Sequence, residues 1–129
     1  MTPIIVPAYA AIFGILFVVL SVRVANMRRL TKTALGTGGN RMLERRIRVQ
    51  GNFAEHVPIA LLLLAFVEMQ GWSRWLLHVL CIALLLARLV HAYGVGQEPE
   101  DIRLRASAIV TNASVISVAA ILLLYAALR

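Results

Sequence analysis

Five polar side chains recur along a stretch that leads into an apolar run: Arg41, Arg45, Arg48, Asn52 and Glu55, spaced 4, 3, 4 and 3 residues apart. That spacing puts all five on one face of a helix. Leucines and isoleucines follow at once in the apolar run from Val57 to Val67, so the Asn52–Glu55 end of the stripe is drawn into it. A buried ion is costly unless paired, and ionisable groups inside a membrane span mark functional sites by default. A positive flank would account for Arg45, Arg46 and Arg48. It gives Asn52 and Glu55 no reason to sit together one turn deeper. Arg88 lies within another apolar run with His91 three residues on, and Arg103 precedes a further one. Arg48, Arg88 and Arg103 all belong near the same ends of their helices. Guanidinium forks hold carboxylates bidentately, and Glu55 can accept from an amine. The set describes a pocket for a small polyanion that also carries an ammonium group.

The elements that position these residues follow from composition. The chain has 129 residues, 60% hydrophobic and only 15% charged, with a mean hydropathy of +0.82. Soluble domains run at about 45–50% apolar and about 25% charged, and an interior of this size cannot hide the excess. A soluble globular domain, a disordered chain and a disulfide scaffold are excluded; the single Cys81 has no intrachain partner. Membrane spans need about 20 apolar residues each, and lipid demands that the backbone satisfy itself, which favours helices. Four spans are expected, over about residues 4–25, 44–69, 73–95 and 104–128, in one all-α integral membrane four-helix bundle covering residues 1–129. The first is read as a retained span rather than a cleaved signal, because no Lys or Arg precedes Arg23 and its apolar run is too long.

The net charge of +7 fits membrane topology rather than a nucleic-acid face. The stretch from Arg23 to Arg48 holds eight Lys or Arg, the second connection only Arg74, and the third Arg103 and Arg105. The positive-inside rule then makes connections one and three cytoplasmic and both termini non-cytoplasmic.

With these residues in place, the chain resembles the membrane-associated proteins in eicosanoid and glutathione metabolism (MAPEG), over nearly its whole length. The resemblance is most specific in Glu44-Arg45 and in Arg48-Val-Gln50-Gly-Asn52-Phe-Ala-Glu55-His56-Val-Pro58. This is similar to the family's ER…R-x-Q/H-x-N-x-x-E stretch, in the form seen in leukotriene C synthase. Ala87-Arg88-Leu89-Val90-His91 resembles a helix-three segment of the family, and Ile102-Arg103-Leu104 the opening of its helix four. The form with Glu55-His56-Val57-Pro58 looks like the small bacterial branch.

The resemblance implies a homotrimer in an inner membrane, with glutathione as co-substrate between neighbouring subunits near the cytoplasmic side. It implies binding roles for Arg48, Gln50, Asn52, Glu55, His56, Arg88 and His91, with Gln50 acting from an adjacent subunit. Arg103 matches the arginine that holds the glutathione sulfur as thiolate, and Arg28 a first-helix arginine that acts on the second substrate. The second substrate would be a small lipophilic electrophile or hydroperoxide taken from the membrane lipids. His56, His91 and Val95 stand where eicosanoid enzymes of the family carry tyrosines, so an eicosanoid substrate is not expected. Whether Arg103 or Arg105 faces the thiol stays open.

Weaker signals point elsewhere. Three histidines, His56, His78 and His91, cannot supply the two His pairs of a dihaem site, so neither haem nor metal is expected. Asn112-Ala-Ser114 matches a glycosylation sequon but lies inside a span, where Asn112, Ser114 and Ser117 would serve helix–helix hydrogen bonds. Cys81 reads as a small apolar residue, and Tyr9, Trp72 and Trp75 as interface anchors. Two other functions compete: a four-span transporter using Glu55, and a non-catalytic protein of the same fold. Arginines around Glu55 would repel a cationic substrate. The topology is checked by cysteine labelling of intact cells: a single Cys at Thr37 should resist an impermeant maleimide while one at Ser73 reacts, and the opposite pattern would reverse the orientation.

Overall fold

The computed structural model describes residues 2–128, which form four helices and no strand. These are α1 (Ile5–Thr31), α2 (Arg41–Met69), α3 (Arg74–Gly96) and α4 (Ile102–Ala127). All four are long and apolar enough to cross a membrane. Short connections make sequence neighbours antiparallel, and α2 contacts each of the other three.

The helices outrun the expected spans at the basic end. The 27 residues of α1 extend for roughly 40 Å at about 1.5 Å per residue, beyond a hydrocarbon core of about 30 Å. Arg23, Arg28 and Arg29 therefore ride on the last turns of α1, while Arg41, Arg45, Arg46 and Arg48 open α2. The basic stretch read as one connection is two helix ends joined by residues 32–40. Gly36, Gly38 and Gly39 in that connection have φ of 67, 56 and 77°, a region that side chains with a Cβ seldom enter. Asn40 then caps α2 by accepting from the Leu43 amide at 2.9 Å.

The core lies toward the non-basic end and is apolar, with Phe13, Leu64, Leu77, Cys81 and Leu84 essentially inaccessible. Cys81 is thus one of the packing residues. Phe53 of α2 meets Phe13 and Phe17 of α1, with ring centroids 6.0 and 5.9 Å apart. Outward faces carry exposed Ile15, Val18, Leu86, Val110 and Ile121, a surface suited to hydrocarbon and not to water. Tyr9 does more than anchor an interface: its hydroxyl lies 3.0 Å from His78 Nδ1 and joins α1 to α3. The serine expectation fails at Ser114, whose hydroxyl bonds Val110 of its own helix. Asn112 is buried in the bundle.

A second polar device sits at the far end of α2, and the sequence reading had no place for it. Glu68 is 6% exposed, and its carboxylate accepts from the amides of Ile4 and Ile5, each at 2.7 Å, and of Val6 at 2.8 Å. The first amides of a helix have no intrahelical acceptor, and their partial positive charge favours an anion there. Because no residue of α1 caps its own start, a carboxylate from α2 satisfies three donors at once. Glu68→Ala should cost about 2–3 kcal/mol, at the upper end for charge-assisted bonds, and Glu68→Gln less, since its amide keeps one acceptor oxygen. Thermal unfolding in detergent measures both, and an unchanged midpoint for Glu68→Ala would show that the α1 amides find other acceptors.

Candidate functional site

The helix-two stripe becomes one wall of an open cleft of about 480 Å³, within the range of small-molecule sites. Arg41, Arg45, Arg48, Asn52 and Glu55 all line it, so the spacing placed them on one face as expected. α3 contributes His91 and Val95, and the α3–α4 connection and the first turn of α4 contribute Glu100 and Arg105. No group of three or more His, Cys, Asp or Glu that could hold a metal occurs among the described residues.

The charges in the cleft are unevenly paired. The Glu100 carboxylate lies 2.9 Å from Arg105 and 3.8 Å from Arg45, bridging α2 and α4. Arg45 also donates to the Val95 carbonyl at 3.2 Å, and Arg41 pairs with Glu98 at 3.6 Å in solvent. Arg48 and Glu55 are exposed and, among the described residues, have neither an ion-pair partner nor a hydrogen bond to the side chain. A cation and an anion thus stand unsatisfied on one face, two turns apart, which is the arrangement a zwitterionic ligand needs.

Five expected site residues stand apart from the cleft wall. Arg28 donates to the carbonyls of Thr33 and Gly36, at 3.3 and 2.9 Å, and fastens the first connection to the end of α1. The Gln50 amide donates to the Ser21 hydroxyl at 2.8 Å, between α2 and α1. His56 Nδ1 lies 2.9 Å from the Asn52 carbonyl one turn earlier. Arg88, 3% exposed, reaches the cleft only through Asn52. Arg103 is exposed and outside the lining, whereas Arg105 is inside it. Two residues apart on a helix means about 200° around the axis, so only one of the two can face a given cleft.

The phase of α4 that selects Arg105 is set locally. Asp101 Oδ1 accepts from the Arg103 and Leu104 amides at 3.0 and 3.2 Å, fixing where α4 begins. The Asp101 amide in turn donates to the Gly94 carbonyl at 3.2 Å, tying that start to the end of α3. Gly94 is buried against α4: a Cβ there would lie 2.9 Å from Leu104 Cβ and 3.3 Å from the Arg105 amide nitrogen. Glu100, Asp101 and Gly94 were absent from the expected binding set, and Arg105 entered it only as the alternative to Arg103; Asp101 could have been found as a helix-capping residue before an apolar run.

Residues 6–128, including every residue of this cleft, match the MAPEG family. The chain belongs to that family. It is also similar to the inner membrane protein YecN of Escherichia coli K12, with 40% identity over 86 residues. The same identity holds for YecN of E. coli O6:H1 strain CFT073. The match covers 67% of this chain and 66% of each relative, so the chain spans just under two thirds of the length of those proteins. As a MAPEG protein it has an all-helical, four-span fold, and its cleft lies at the basic ends of α2, α3 and α4. Gly94→Ala tests how that end is held. The Leu104 Cβ cannot rotate away, so the first turn of α4 must shift, at a cost of about 1–3 kcal/mol. Gly96→Ala, with open space around it, should be near neutral; equal midpoints for the two variants would show that the α3–α4 contact gives freely.

Proposed function

We propose that the protein is a glutathione-dependent membrane transferase or peroxidase acting on a lipophilic electrophile or hydroperoxide. The observation that carries this reading is the unpaired Arg48 and Glu55 on one wall of the cleft, opposite Arg105. Glutathione has two carboxylates, an ammonium group and a thiol, and so supplies a counter-charge to each. In this reading Arg48 takes a carboxylate, Glu55 accepts from the ammonium, and Asn52 and His91 line the path between them. A free thiol is mostly protonated at neutral pH, and a fixed guanidinium favours its anion. The thiolate then forms a carbon–sulfur bond as the electrophile's leaving group departs as an anion. With a hydroperoxide it takes the terminal oxygen, the O–O bond breaks, and the alkoxide leaves as the alcohol on protonation. The glutathione sulfenic acid condenses with a second glutathione to give the disulfide and water.

Family position assigns the thiolate to Arg103, while the geometry of one protomer favours Arg105, the helix-four guanidinium inside its cleft. Arg105 is the one we assign. Arg103 would then act only across a subunit boundary, as would Gln50 and Arg28. The exposure of Arg48 and Glu55 on a spanning helix supports such a boundary, because charged side chains facing lipid are costly and a neighbouring subunit would cover them. A homotrimer in an inner membrane, with connections one and three cytoplasmic and its outer faces in lipid, fits this requirement. The membrane would bring the apolar second substrate to the cleft by lateral diffusion.

Calorimetry with glutathione, ultraviolet absorbance of the bound thiolate and native mass spectrometry test the reading together. The wild-type protein should bind glutathione as a trimer, and Glu55→Gln should weaken binding by about 1.5–3 kcal/mol, roughly tenfold to a hundredfold. Arg105→Ala should remove the thiolate absorbance and Arg103→Ala should spare it. The reverse pattern returns that role to Arg103. A wild-type protein that binds no glutathione overturns the enzymatic reading in favour of a transporter or a non-catalytic MAPEG protein.

A further inference from the structure

Arg88 is the most buried charged side chain of the bundle, at 3% exposure. No carboxylate lies within ion-pair distance of it among the described residues. One guanidinium nitrogen donates to Asn52 Oδ1 at 2.7 Å, and its Nε is buried without a partner. A guanidinium has donors only. The Asn52 atom facing it must therefore be the carbonyl oxygen, which resolves the ambiguity that a side-chain amide otherwise carries. The NH2 group of Asn52 is left over. It makes no hydrogen bond among the described residues, and Asn52 lines the open cleft.

We propose that Arg88 is a positioning residue that locks the Asn52 amide with its NH2 group toward the cleft, so that this point of the wall accepts only an acceptor oxygen of a carboxylate or carbonyl. Arg88 does not touch the ligand. An amide free to flip would offer a donor or an acceptor with little preference; the buried guanidinium removes one choice before the ligand arrives. Asn52 thereby takes the same sense as Arg48, one turn away on the same face, while Glu55 keeps the opposite one. The wall reads as donor, donor, acceptor along residues 48, 52 and 55. The inference rests on the glutathione reading for its ligand but not for the lock itself.

Two measurements separate the lock from the ligand. The chain has four asparagines, Asn26, Asn40, Asn52 and Asn112, so asparagine-selective 15N labelling resolves the Asn52 side-chain NH2 pair, identified by its loss in Asn52→Asp. That pair should be sharp and distinct in the wild type and broadened or averaged in Arg88→Met; an unchanged pair overturns the lock. Calorimetry with glutathione then tests its consequence. Arg88→Met and Asn52→Ala should each weaken binding about tenfold, and the double variant should be no more than about twofold weaker than Asn52→Ala alone. A roughly hundredfold loss in the double variant would mean that Arg88 meets the ligand itself, and overturns the proposal. Should Arg88→Met fail to fold, Asn52→Asp carries the test. Its carboxylate still accepts from Arg88 and keeps the bundle intact, yet presents no donor. Binding at least tenfold weaker with an undiminished melting midpoint supports the proposal, and wild-type binding overturns it. If the wild type binds no glutathione, the reading of the ligand fails while the amide spectrum still decides the lock.

Discussion

Within hydrocarbon a polar group must find its partner inside the protein, and α2 is the helix through which this chain meets that constraint. At one end its Glu68 carboxylate receives three backbone amides of α1. At the other its Asn52 receives the guanidinium of Arg88 from α3. Between the two lie Phe53, Val57, Ala60 and Leu64, all buried. One helix thus supplies the acceptor for the start of α1, the acceptor for the deepest cation of α3 and the apolar middle of the core. Hydrophobic attraction does little to hold helices together in lipid, where packing and interhelical hydrogen bonds take over. Those few polar contacts therefore fix the relative heights of α1, α2 and α3 more than apolar burial does.

Once α2 and α3 are in register, the remaining wall of the cleft depends on a short segment. Asp101 sets the first turn of α4, its own amide hooks that turn to Gly94, and Gly94 permits the close approach. Glu100, one residue earlier, ties Arg105 of α4 to Arg45 of α2. The carboxylate that shapes the site also occupies two of its cations. An anion entering the cleft as proposed would compete with Glu100 for Arg105, so its affinity would be set by a difference between two ion pairs and not by the count of arginines. Partly exposed pairs of this kind are each worth about 0–1 kcal/mol, weak enough for a ligand carboxylate to displace.

How much of this was legible in the sequence depends on whether the cause is local. The 4, 3, 4, 3 spacing from Arg41 to Glu55 is a property of one helix, and it mapped directly onto one wall of the cleft. The four helices long enough to span followed from apolar length, which Arg88 alone interrupts in the third run. Glu68 was not legible, because its importance lies in donors 62 to 64 residues away, and a lone acid at the end of an apolar run reads as a boundary. The choice between Arg103 and Arg105 was open for a different reason. Both lie at the start of α4, and the residue at which that helix begins, set by the Asp101 cap, determines which one turns inward. Arg88 was expected among the binding residues, in the same slab as Arg48 and Arg103, and only packing shows that its guanidinium meets the Asn52 side chain.

The same constraint bears on the outer face of α2. The protomer's buried polar groups are mostly satisfied, with Arg46 Nε, Arg88 Nε and Asn112 Oδ1 as buried side-chain atoms lacking a partner among the described residues. Arg48 and Glu55 are instead exposed on α2 with no ion-pair partner among the described residues, and exposed aliphatic residues such as Ile59 and Leu62 follow further along the helix. Lipid would accept the aliphatic part of that face and reject the charged part. Water would do the reverse. The proposed assembly would meet both demands, with another protein surface covering the charged turns and a polar ligand meeting their side chains. In the proposed trimer, filling the cleft and covering the face would be two parts of one requirement, and glutathione binding and assembly would be coupled through the same two side chains.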